Sequence, residues 1–106
     1  MILIALLDCK RSKLGTEYLG HEAITKSRRT CQEWSAISHK FQQENFPDVS
    51  IEAAGNKCRN PDNEPNGPWC YIMDPNMEFS WEYCDIPMCL GNLRKRLNNV
   101  VTDDKE

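Results

Sequence analysis

Six cysteines within 106 residues limit what this sequence can become. They stand at Cys9, Cys31, Cys58, Cys70, Cys84 and Cys89. An even and dense set in so short a chain marks a loop-rich domain stapled by disulfides. Zinc is the other common use of clustered cysteines. It calls for closely spaced pairs backed by histidine or by a second such pair. Here only Cys84 and Cys89 lie close, and neither histidine is near them. Disulfides are therefore expected, with no metal and no other cofactor. Six cysteines allow fifteen pairings, and spacing alone does not choose among them. A chain this short buries a small core and needs such reinforcement. Structural disulfides persist in oxidising compartments, so the domain is expected to be extracellular, as a secreted protein or an ectodomain.

Charge and pattern exclude several classes of function. The formal net charge is −3 and the isoelectric point about 5.4, which argues against nucleic-acid binding by bulk charge. The sign is uneven along the chain. Lys10, Arg11, Lys13, Lys26, Arg28 and Arg29 crowd the early part, while residues 44–85 are mostly acidic. Lys10, Arg11, Lys13, Arg28 and Arg29 form a candidate glycan-binding set for sulfated chains, the plainer alternative being a solvated face. No apolar run is long enough to insert across a membrane. The opening MILIALLD is apolar but lacks a basic leader and a small-residue cleavage site, so it is not read as a complete signal peptide.

The chain divides into an apolar lead-in (1–8), a domain (9–89) and a tail (90–106). In the tail Leu90, Leu93, Leu97, Val100 and Val101 fall roughly on one helical face around Arg94, Lys95 and Arg96. It reads as a linker, with a basic processing site as the sharper alternative. Residues 38–57 read as loop, with Phe46-Pro47 and Gly55-Asn56 as turn signals. Trp34, three residues past Cys31, reads as core. His39, a lone histidine in no recognisable catalytic motif, reads as a surface residue; no catalytic residue is expected.

The stretch from Cys58 to Cys84 carries the chemistry. Asn60-Pro61-Asp62-Asn63 and Pro65-Asn66-Gly67-Pro68 are turn sequences. They hold Trp69-Cys70-Tyr71 as a short extended piece. Alternation along a strand puts Trp69 and Tyr71 on one face and points Cys70 into the core. After a turn at Asp74-Pro75-Asn76, Trp81 and Tyr83 share a face by the same rule. Two antiparallel strands carrying aromatics, with Asp62 and Glu64 at one end, make a shallow trough. Carboxylates beside aromatic faces suit a cation: the acid neutralises it and the ring quadrupole attracts it.

Certain segments together carry a family resemblance. They are Tyr18-Leu19-Gly20, Thr25-Lys26-Ser27, Cys31-Gln32-Glu33-Trp34, CRNPDNEPNGPWCY from Cys58 and WEYCDIPMC from Trp81. Residues 9–89 resemble a kringle domain, the extracellular module of the plasminogen and hepatocyte growth factor type. The resemblance implies a small disulfide-rich fold, loop-rich with short antiparallel strands, paired Cys9–Cys89, Cys31–Cys70 and Cys58–Cys84. The two inner bridges would cross beneath the trough. In the loop-entropy account each bridge contributes roughly 3–4 kcal/mol.

It further implies a non-catalytic, monomeric module with a lysine-binding trough. Asp62 and Glu64 would be its anionic pair, and Trp69, Tyr71 and Trp81 its walls. The sequence departs from the family pattern at several places. Glu64 stands where a second aspartate is usual. Ser80 stands where an arginine holds the ligand carboxylate, and the segment from Asp74 to Trp81 is about two residues longer. A shortened loop after Trp34 leaves Lys40 as a stand-in cation. Arg28 replaces a glycine, which implies a different local turn. The expected partners are therefore proteins that expose a lysine side chain within the chain. The alternative is an interaction kringle of a receptor, growth factor or protease precursor that touches heparin-like glycans instead.

Overall fold

Among the described residues regular structure is sparse, and the few elements are held by side-chain caps and sulfur. A computed structural model describes residues 8–89, apart from the side chains of Ser38 and His39. The lead-in at 1–7, the tail at 90–106 with its basic run, and the His39 side chain lie outside the described residues. In order come a 3-10 helix at Trp34–Lys40, kinked at Ile37, and a 3-10 turn at Gln43–Asn45. Helix α1 (Ile51–Ala54) and strands β1 (Trp69–Met73) and β2 (Phe79–Tyr83) follow.

The loop expected over residues 38–57 is thus corrected to a string of helical turns. Their cause is capping, not apolar periodicity. Ser50 Oγ accepts the Ala53 N–H at 3.1 Å, and Gln43 Oε1 accepts the Ile51 N–H at 2.6 Å. Gly55, at φ 57, ends the helix after one turn. One turn is too short for a 3.6-residue repeat to register in a sequence.

Strands β1 and β2 pair antiparallel, with Trp69 opposite Tyr83, Tyr71 opposite Trp81 and Met73 opposite Phe79. All six therefore share one face, as alternation predicted for the aromatics. Cys70 and Ile72 point the other way and are buried. Beneath them lie the inner bridges, Cys31–Cys70 and Cys58–Cys84, with Cα separations of 5.6 and 6.4 Å. The two bridges touch, Cys31 Sγ lying 3.8 Å from Cys58 Sγ. The outer bridge, Cys9–Cys89, closes at a Cα separation of 5.0 Å. Beside it Lys10 donates to Pro87 O and Cys89 to Lys10 O, at 2.9 and 2.7 Å. The three pairings are those the resemblance implied.

Trp34 sits at the centre, as expected of it. It is 2% exposed and meets Phe46, Trp69 and Tyr71 edge-on at 5.2, 5.0 and 5.7 Å. Its indole N–H donates to Lys57 O at 2.6 Å. The floor of the trough thus rests on a fixed ring.

Two backbone positions are of note. Arg28, which stands where a glycine is usual, takes φ 72, the left-handed conformation that suits glycine. Val49 takes φ 62 with its side chain 72% exposed. A β-branched residue pays about 1–2 kcal/mol for that conformation. Val49→Asn, which tolerates it, is expected to raise stability by about 1 kcal/mol. The check is the urea midpoint at unchanged m-value; a lower midpoint would mean that the valine side chain supports its turn.

Candidate functional site

The acidic end of the trough is built by one buried side chain. Asn60, 2% exposed, donates from Nδ2 to Leu14 O at 2.6 Å and to Glu64 O at 3.0 Å. Its Oδ1 accepts the Glu64 N–H at 2.8 Å. Asn63, at φ 59, lets the chain reverse between them. The turn is therefore pinned at both ends and lifts Asp62 and Glu64 outward. It is tied to β1 as well, because Arg59 and Trp69 exchange backbone hydrogen bonds of 3.1 and 2.9 Å.

Both carboxylates are then oriented by aromatic donors. The Trp69 indole N–H donates to Asp62 Oδ1 at 3.0 Å. The Tyr83 hydroxyl donates to Glu64 Oε1 at 3.1 Å. A carboxylate has about four acceptor sites, so each keeps capacity for a cationic donor. The acids leave their mark on the phenols. Burial first, and the Asp62 charge second, raise the Tyr71 phenol above its ordinary pKa. Tyr83 is raised by desolvation and by the bonded Glu64 carboxylate.

Asp62, Glu64, Trp69, Tyr71 and Trp81 line one open concavity of about 280 Å³, together with Lys40 and Phe41. Trp69 is its floor, only 3% exposed, while Trp81 is 45% exposed and forms a wall. Trp69 meets Tyr71 at 4.9 Å and Trp81 at 5.6 Å, both near-perpendicular. The lining offers negative charge at one end and flat apolar faces beside it.

A family model described as Kringle domain matches residues 9–89, about three quarters of the chain. The chain belongs to the kringle family. Kringles are disulfide-rich, extracellular, non-catalytic modules that mediate protein interactions. Among the described residues no helix is long and apolar enough to cross a membrane.

Within this kringle the expected residues fall as follows. The five trough residues come together, and Lys40 reaches the same lining from the end of its 3-10 helix. Ser80 does not join them. It pairs with Ile72, on the opposite face of the hairpin from Trp81. Phe41 is the residue that sequence reasoning missed. It packs 6.0 Å from the Trp69 ring and 6.1 Å from Trp34. A large aromatic in a stretch otherwise read as loop was the available signal.

The basic set meets two different surroundings. Lys10 Nζ donates to Lys13 O at 3.1 Å beside the outer bridge. There the Arg11 and Ser12 N–H groups and the Ser12 hydroxyl all donate to the Glu17 carboxylate. Burial disfavours the Glu17 charge, but these hydrogen bonds prevail and hold its pKa below the usual value. Arg28 instead lines a second concavity with Glu22, Ile24, Thr25, Lys26 and Asp85. Two acids thus share that lining. Arg29 is exposed, and its N–H is held by Thr25 Oγ1 at 3.1 Å.

Proposed function

We propose that this kringle binds the ammonium group of a lysine side chain carried within a partner protein. The observation that carries the reading is the pair of oriented carboxylates, Asp62 and Glu64, at the end of an aromatic trough. The ammonium is neutralised by the two acids. The methylene stem lies along Trp69, Tyr71 and Trp81, where it gains apolar contact and the rings attract its charged end. A lysine inside a chain brings no carboxylate of its own, and among the described residues the lining has one exposed cation, Lys40, to meet such a group. An exposed ion pair is worth only about 0–1 kcal/mol. Free ω-amino acids therefore gain little over simple amines.

The test is a tryptophan-fluorescence titration of the oxidised chain with pentylamine and with 6-aminohexanoate. Both are expected to bind, with 6-aminohexanoate favoured by no more than about fivefold. Trp69 and Trp81 line the trough and report the ligand, whereas Trp34 is enclosed in the core. Failure of both ligands to bind would refute lysine recognition. A preference of thirtyfold or more for 6-aminohexanoate would show instead that the site selects a free carboxylate.

A further inference from the structure

The aromatic face of the hairpin continues past the trough. Beyond the rung of Tyr71 and Trp81 comes a third rung, Met73 opposite Phe79, on the same face. Met73 is 36% and Phe79 46% exposed. The hairpin turn then presents Met77, 78% exposed and at φ 64. This tip is ordered by its own side chain: Asp74 Oδ1 accepts the N–H groups of Asn76 and Glu78, each at 2.9 Å. Three large apolar side chains are thus held in water by a built turn, and none of the three belongs to the core.

The strip is continuous with the trough, since the Phe79 ring lies 6.4 Å from Tyr71. The spacing fits a chain that enters by its lysine. The two acids engage the first rung, Trp69 and Tyr83. Successive rungs on one face are about 7 Å apart. A lysine stem spans about 6 Å from Cα to ammonium at ordinary bond lengths. With the ammonium at the first rung, the Cα emerges near the second, and neighbouring side chains fall over the third. Asp74 and Glu78 flank this strip, so it also favours a segment of positive charge.

We infer that this kringle recognises a lysine together with an apolar side chain one or two residues away in the same segment. The ammonium goes to Asp62 and Glu64, and the apolar group packs on Met73, Met77 and Phe79. The ligand is a basic, apolar-flanked segment of a partner protein. This inference rests on the lysine reading above.

Calorimetric titration of the oxidised full chain tests it with pentylamine and three end-blocked peptides. These carry Leu-Lys-Leu, Gly-Lys-Gly or Leu-Gln-Leu at the centre of a glycine frame. The Leu-Lys-Leu peptide is expected to bind about tenfold more tightly than Gly-Lys-Gly, and Leu-Gln-Leu not measurably. Met73→Ser combined with Phe79→Ser should remove most of the preference for Leu-Lys-Leu over Gly-Lys-Gly and leave pentylamine unchanged. Met77→Ser alone should remove part of the preference. Equal affinity of the two lysine peptides for the unaltered chain overturns the inference while pentylamine still binds. So does a serine variant that weakens both lysine peptides in parallel, or a Leu-Gln-Leu peptide as tight as Leu-Lys-Leu. If pentylamine and every peptide fail to bind, the lysine reading has failed and the strip's role falls with it.

Discussion

Asp62→Asn is expected to weaken pentylamine binding roughly ten- to a hundredfold, the weight of one lost charge-assisted hydrogen bond. The reason this change isolates charge is geometric. Asp62 Oδ1 holds the Trp69 indole at 3.0 Å, and the asparagine oxygen can accept the same bond. The floor of the trough is then unchanged, and only the anion is missing. Asp62 is exposed and its turn is pinned by Asn60, so stability should move by no more than about 0.5 kcal/mol. Fluorescence titration and urea unfolding of the same sample separate the two effects. A loss of affinity below threefold would mean that Asp62 does not meet the ammonium. Glu64→Gln should act in the same direction.

The same substitution has a signature without ligand. Tyr71 is raised above its ordinary phenol value by burial and then by the Asp62 charge. A raised value means that the folded chain holds the proton more tightly than the unfolded chain does. That contribution to stability is complete below the ordinary phenol range, about pH 10, and is lost as pH rises through the raised value. Removing the Asp62 charge should bring the Tyr71 titration back toward the ordinary value. Phenolate absorbance measures this, with Tyr71→Phe identifying which signal belongs to Tyr71. An unmoved midpoint in Asp62→Asn would show that the carboxylate exerts no field on the trough.

What could be read beforehand was what is local. Trp69, Tyr71, Trp81 and Tyr83 lie in two short runs whose period of two fixes a shared face, whatever the rest of the chain does. Asp62 and Glu64 are a few residues away across a turn. The bridge pairing, by contrast, came from family resemblance, since spacing left every pairing open. Phe41 reaches the trough from a segment far upstream, and no pattern near Trp69 points to it. Helix α1 is made by Ser50 and Gln43 caps over one turn, below the length at which periodicity speaks. A run of basic residues tells nothing of its neighbours either: Arg28 lines its concavity with Glu22 and Asp85. Arg59 was the deepest omission. Charged residues are assigned to the surface by default, and this one is 3% exposed.

Arg59→Met is expected to cost about 3–5 kcal/mol of stability, a large share of what a small domain has. Arg59 Nε and Nη2 donate to the two oxygens of Asp48 at 2.9 and 3.1 Å. Its Nη1 donates to Gly20 O at 3.0 Å and Cys58 O at 2.8 Å, and the guanidinium stands 5.4 Å from the Tyr18 ring centroid. Methionine fills much of the volume but leaves the Asp48 side chain, 9% exposed, as an uncompensated anion and strips two carbonyls of a donor. Asp48→Asn in the same chain removes the stranded charge and should recover part of the loss, so a double-mutant cycle in urea measures the coupling. If Arg59→Met and the double variant are equally unstable, the cost lies in the carbonyls and the packing, not in the anion. Binding should fall as well. Arg59 exchanges backbone hydrogen bonds with Trp69 and leads directly into the Asn60 turn that carries Asp62. The buried cation therefore anchors the acidic end of the trough from below. Asp48 immediately precedes Val49, so the left-handed strain at Val49 accompanies the chain geometry that sets Asp48 against Arg59.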